Sequence, residues 1–89
     1  MKVAKFGGTS LADSGQIKKV CEIILSDPER QIIVVSAPGK RYNEDVKVTD
    51  LLIECADSFL KTGRAGDKLD AVLSRYRSIA GGLGMPEEI

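Results

Sequence analysis

The run Lys5-Phe6-Gly7-Gly8-Thr9-Ser10 combines residue types that suit an anion. Two adjacent glycines let the backbone bend sharply and approach a ligand closely. Successive N–H groups with no side chains between them can converge on one negative group. Lys5 adds a mobile cation, and Thr9 and Ser10 add hydroxyl donors. The apolar start Val3-Ala4 precedes the run, and an amphipathic stretch begins near Ser14. Strand, glycine turn and helix in that order make a phosphate-binding arrangement. The plainer alternative is a tight turn before a helix. The lysine before the glycines and the hydroxyls after them favour phosphate.

Neither commoner glycine motif is present. A Walker A loop needs Gly-Lys followed by Ser or Thr, and a dinucleotide fingerprint needs a third glycine at fixed spacing. Here the lysine precedes the glycines and falls at the end of the strand.

A second segment, Gln31 to Lys40, reads as a buried strand running into a loop. Ile32, Ile33, Val34 and Val35 are consecutive β-branched residues without polar alternation. Such a run predicts a strand covered on both faces, as in a parallel sheet. Pro38-Gly39 stops it. Val48-Thr49-Asp50-Leu51-Leu52 then opens a helix.

Together these segments resemble the amino acid kinase family, whose members transfer a phosphoryl group from ATP to a carboxylate, carbamate or phosphate. The run KFGGTS, the strand end Ser36-Ala37 and the helix start Thr49-Asp50 are similar to those of its aspartokinase branch. The loop Pro38 to Lys47 is longer than in many members, which leaves the roles of Lys40 and Arg41 open.

The elements that must position these residues follow from periodicity. The pattern predicts strands over 2–6 and 31–36 and helices over 14–27, 49–61 and 67–80. The first helix carries Ile17, Val20, Cys21, Ile24 and Leu25 on one stripe. Asp13 with Gln16 can form its capping box, and Asp27-Pro28 closes it. The second carries Leu51, Leu52, Cys55, Phe59 and Leu60, with Thr49 as a possible cap. The third carries Leu69, Val72, Leu73, Tyr76 and Ile79 and ends at Gly81-Gly82. Cys21 and Cys55 read as small core residues, since buried free cysteine is common. Lys18-Lys19 and Arg75/Arg77 read as solvated helix faces.

The expected fold is α/β, a partial three-layer parallel-sheet sandwich of the amino acid kinase type with two strands and three helices. Two strands do not complete such a sheet. Residues 1–89 are therefore expected to be the N-terminal part of a catalytic domain, without a regulatory domain. The isolated segment is expected to be inactive.

Thirteen basic residues balance thirteen acidic ones, which argues against a nucleic-acid footprint. No apolar run is long enough to span a membrane, and the start has no signal-peptide core. A cytoplasmic setting is expected. Without histidine or paired cysteines, the sequence argues against a structural zinc site.

The resemblance implies roles. Phosphoryl transfer needs positioning and neutralisation of charge on the transferred group. Lys5 is the expected catalytic cation at the ATP phosphates. Gly7 and Gly8 are expected to donate backbone N–H bonds there, and Ser10 a hydroxyl unless it caps a helix. Ser36 stands at the carboxyl end of its strand, where open parallel sheets bind ligands. By resemblance, Ser36 and Thr49 contact L-aspartate, although Thr49 has capping as its alternative. Asp50 reads as a first-turn acid favouring the helix dipole. ATP is the implied co-substrate, with Mg2+. The implied reaction is the first step of aspartate-derived lysine, threonine and methionine biosynthesis. Competing readings are another amino acid kinase family member and a non-enzymatic interaction fragment. Self-association or a homo-oligomeric parent is expected, since a lone sheet leaves an open strand edge.

Overall fold

The computed structural model describes residues 1–86. Its elements are β1 (Lys2–Phe6), a four-residue 3-10 turn (Gly8–Leu11), α1 (Ser14–Leu25), β2 (Arg30–Val35), α2 (Val48–Thr62) and α3 (Gly66–Gly82). The two strands and three helices agree with the α/β expectation. The strands pair in parallel, with Val3 opposite Ile32, Lys5 opposite Val34 and Phe6 opposite Val35. A register shift lies between Lys2 and Val3. Parallel pairing requires a crossover, and α1 supplies it.

Local chemistry sets the boundaries. Asp13 is extended, and its carboxylate accepts a 2.9 Å bond from the Gln16 N–H, which starts α1. The helix stops at Leu25, two residues short of the expected end, because Ser26 already caps it. Gly63 takes a left-handed φ of 72° and ends α2. Gly82 sits against Ser14, where a Cβ would overlap the serine side chain, so α3 crosses α1 at close range. The 3-10 turn was not evident in the sequence. It converts Gly8 to Leu11 into a compact corner and delays α1 until Asp13.

The core is small: Leu11, Ala12, Val20, Val48, Val72 and Ile79. It joins the 3-10 turn and α1 to the start of α2 and the middle of α3. Several expectations about burial need correction. Strand 31–36 was expected to be covered on both faces, yet Ile32, Val34 and Val35 are exposed. The reason is that β2 pairs with β1 alone among the described residues, and its Val35 end borders an open apolar groove beside α1 and α3. Cys21 was expected in the core and is exposed, because the groove beside α1 is open; Cys55 is half-buried on α2. Leu52, Phe59 and Leu60 also face outward from α2. Arg75 reverses its expectation in the other direction. It is 4% exposed and belongs to the core rather than to a solvated face.

Candidate functional site

The carboxyl ends of β1 and β2 open onto one cleft of about 410 Å³. Three segments line it: Gly8 and Thr9 after β1, Ser36 to Lys40 after β2, and Lys47 and Thr49 at the start of α2. This is where an open parallel sheet offers a ligand site. Of the residues singled out in the sequence, Gly8, Thr9, Ser36, Lys40 and Thr49 meet here.

Lys5, Gly7 and Ser10 lie nearby without lining it. Lys5 is exposed on β1, opposite Val34, two residues before the glycine turn. Gly7 is the extended residue leading into the 3-10 turn, with φ −76° and ψ 172°. Ser10 donates its backbone N–H to the Gly7 carbonyl at 3.1 Å, and α1 is capped by Asp13. The capping alternative for Ser10 therefore falls away.

Thr49 also lacks the capping role. α2 begins at Val48, its N-cap is Lys47, and no side chain caps it. Thr49 stands in the first turn and lines the cleft. Asp50 occupies the same first turn, as the dipole argument expects.

The wall between the strands is a backbone clasp. The Gly39 N–H donates to the Gly8 carbonyl at 2.7 Å, and the Val48 N–H to the Pro38 carbonyl at 3.0 Å. A Cβ at Gly8 would lie 3.1 Å from the Ala37 carbonyl oxygen. Both loops approach so closely because glycine occupies each contact point.

Charge in the cleft is positive. Lys40 and Lys47 line it, and no carboxylate does. Beside it, the loop before α2 carries a separate ionic cluster. The Asp45 carboxylate accepts from the Arg41 backbone N–H at 2.9 Å, from its Nε at 2.6 Å and from its Nη2 at 2.9 Å. These bonds hold the Asp45 carboxyl well below the usual carboxylate range, against the opposing pull of burial. The Arg41 guanidinium also lies 5.7 Å from the centre of the Tyr42 ring. Arg41 thus serves the loop, whereas Lys40 faces the cleft.

Sequence reasoning did not place Gly39, Lys47 or Arg75 at the site. Gly39 and Lys47 had a legible signal: they flank the loop between two candidate segments. Arg75 had none, because an arginine on a helix reads as solvent-facing.

The cleft suits an anion bearing groups that accept hydrogen bonds. It offers backbone at the glycine corner, hydroxyls at Thr9, Ser36 and Thr49, and two ammonium groups. Among the described residues no group of three His, Cys, Asp or Glu side chains is placed to hold a metal ion. No described helix is long and apolar enough to cross a membrane.

Comparison with known proteins agrees with this geometry. The profile described as the amino acid kinase family matches residues 1–80. Aspartokinase 3 of Bacillus subtilis is 55% identical over 89 residues, covering 100% of this chain and 20% of the relative. The aspartate kinase of Clostridium acetobutylicum superposes with a TM-score of 0.86 at 48% identity, over 94% of this chain and 19% of that one. E. coli aspartokinase III, solved with aspartate and ADP, gives a TM-score of 0.70 at 34% identity, over 89% and 16% respectively. The chain therefore spans about a fifth of the length of the relatives it matches.

Proposed function

We propose that this chain, which belongs to the amino acid kinase family, forms the phosphate corner and the aspartate-facing wall of an aspartate kinase. The reaction transfers the γ-phosphoryl group of ATP to the side-chain carboxylate of L-aspartate. A carboxylate oxygen forms a bond to the γ-phosphorus as the bond to the β–γ bridging oxygen breaks. ADP leaves with that electron pair, and aspartyl phosphate remains. The observation that carries the reading is one cleft joining the glycine corner, the Ser36 and Thr49 hydroxyls and two lysines at the ends of both strands.

Each group has a part in that chemistry. The backbone of the Gly7-Gly8 corner donates to phosphate oxygens where a side chain would obstruct them, and Ser10 stands in the same turn. Lys5, at the end of β1, neutralises charge building on the transferred group. Ser36 and Thr49 donate to the aspartate carboxylates. Lys40 and Lys47 raise the local concentration of anionic substrates by their field. The cleft lining holds cations and no carboxylate, so these residues do not fit a divalent cation.

Support comes from the agreement of fold, cleft and relatives, one of which was solved with aspartate and ADP. Cytoplasmic residence and a homo-oligomeric enzyme belong to the same reading. The exposed Leu25, Val35 and Leu60 favour self-association of the isolated chain.

A chimera tests the proposal. The matched segment of the Bacillus subtilis relative is replaced by this chain, and phosphorylation is assayed with aspartate, glutamate and acetylglutamate. The expected result is aspartate-dependent turnover. A folded chimera that ignores aspartate, or prefers another acceptor, contradicts it.

A further inference from the structure

We infer that Arg75 is the positioning residue of the cleft: from α3 it binds three separate backbone segments at once and fixes the loop that carries Gly39 and leads to Thr49. Its Nη2 donates to the Gly39 carbonyl at 2.7 Å and to the Ala12 carbonyl at 3.2 Å. Its Nη1 donates to the Val46 carbonyl at 2.8 Å. The same Nη1 lies 3.6 Å from Asp45, whose carboxylate also receives Arg41.

The geometry requires an arginine. Ala12 follows the 3-10 turn that begins at Gly8, Gly39 forms the clasp, and Val46 leads into α2. One planar fork presents donors along fixed directions to all three carbonyls. An ammonium is a point donor at the end of a flexible stem and cannot span them with the same directions. Buried carbonyls left without donors are costly, so the loop would move to find other partners. Movement there shifts Gly39 against Gly8, and Val46 with the turn that carries Thr49. Arg75 does not line the cleft, so it acts through these residues and not on the substrate.

The claim about substrate rests on the aspartate kinase reading, whereas the claim about the loop does not, and two measurements separate them. In the 89-residue chain, Arg75→Lys is expected to speed amide exchange at Gly39 and Val48 about tenfold, with α1 amides unchanged. In the chimera, Arg75→Lys is expected to raise the KM for aspartate about tenfold while kcat stays within about twofold. A merely structural residue would speed exchange throughout α1 and lower the active fraction at unchanged KM, which would overturn the inference. Unchanged exchange at Gly39 and Val48 would overturn it too. If Arg75→Lys does not fold, side-chain NMR of the unmodified chain decides. Restricted rotation with resolved Nη resonances supports the clamp, and a freely rotating guanidinium refutes it. Altered exchange at Gly39 with an unchanged KM for aspartate would refute the claim on substrate alone.

Discussion

Gly39 and Gly8 meet backbone to backbone: the Gly39 N–H reaches the Gly8 carbonyl at 2.7 Å, and a Cβ on Gly39 would lie 2.6 Å from the Gly8 carbonyl carbon. This contact fixes the two strand-end loops against each other and so sets the width of the cleft. Gly39→Ala should therefore force the loops apart and destabilise the fold by about 1–3 kcal/mol, as overpacked sites do. Gly7 is the contrast. A Cβ there meets nothing within 4 Å, and its φ of −76° suits any residue. Gly7→Ala should stay within about 0.5 kcal/mol of the unmodified chain. Denaturant unfolding of both variants checks the pair. Equal losses would show that the clasp is not the constraint.

The Arg41–Asp45 pair predicts an acid-sensitive loop. Asp45 is held below its ordinary range chiefly by hydrogen bonds from the Arg41 side chain. A carboxyl that titrates lower in the folded state than in the unfolded state contributes its stability in full above the unfolded value, about pH 4. That contribution disappears as pH falls toward the folded value. Asp45→Asn should thus cost about 1.5 kcal/mol near neutral pH and progressively less below about pH 4. Unfolding midpoints at several pH values provide the check. A difference that grows on acidification has the wrong sign for this account.

Lys5 is exposed on β1, so its removal should spare the fold. In the active chimera, Lys5→Ala should lower kcat by about 10²–10³, the range for a lost donor to developing charge. Steady-state kinetics with circular dichroism on the same sample measure both. Near-normal kcat in a folded variant removes Lys5 from the mechanism.

Much of this was legible in the sequence, and the failures share a cause. The KFGGTS run, the β-branched strand and the Thr49-Asp50 helix start located both strand ends and put Gly8, Thr9, Ser36 and Thr49 in the cleft, because periodicity and turn chemistry are local. The 3-10 corner was missed, since Gly8 to Leu11 carries no periodic signal of its own. Cys21 and Val35 were misplaced for a different reason. An apolar stripe says which face seeks cover, not which element supplies it. Arg75 was read as solvated because its three acceptors are carbonyls at positions 12, 39 and 46. No side-chain type in those segments announces them.

The central claim is that Ser36 and Thr49 face the aspartate. Substrate-resolved kinetics of Ser36→Ala and Thr49→Ala in the chimera test it most directly. Thr49 is not a helix cap, and Ser36 lies beyond the end of β2, so neither change should disturb folding. Each should raise the KM for aspartate by the equivalent of about 1.5–3 kcal/mol, the usual worth of a hydrogen bond to a charged group, with the KM for ATP nearly unchanged. A rise confined to ATP, or no change in either constant, would contradict the assignment.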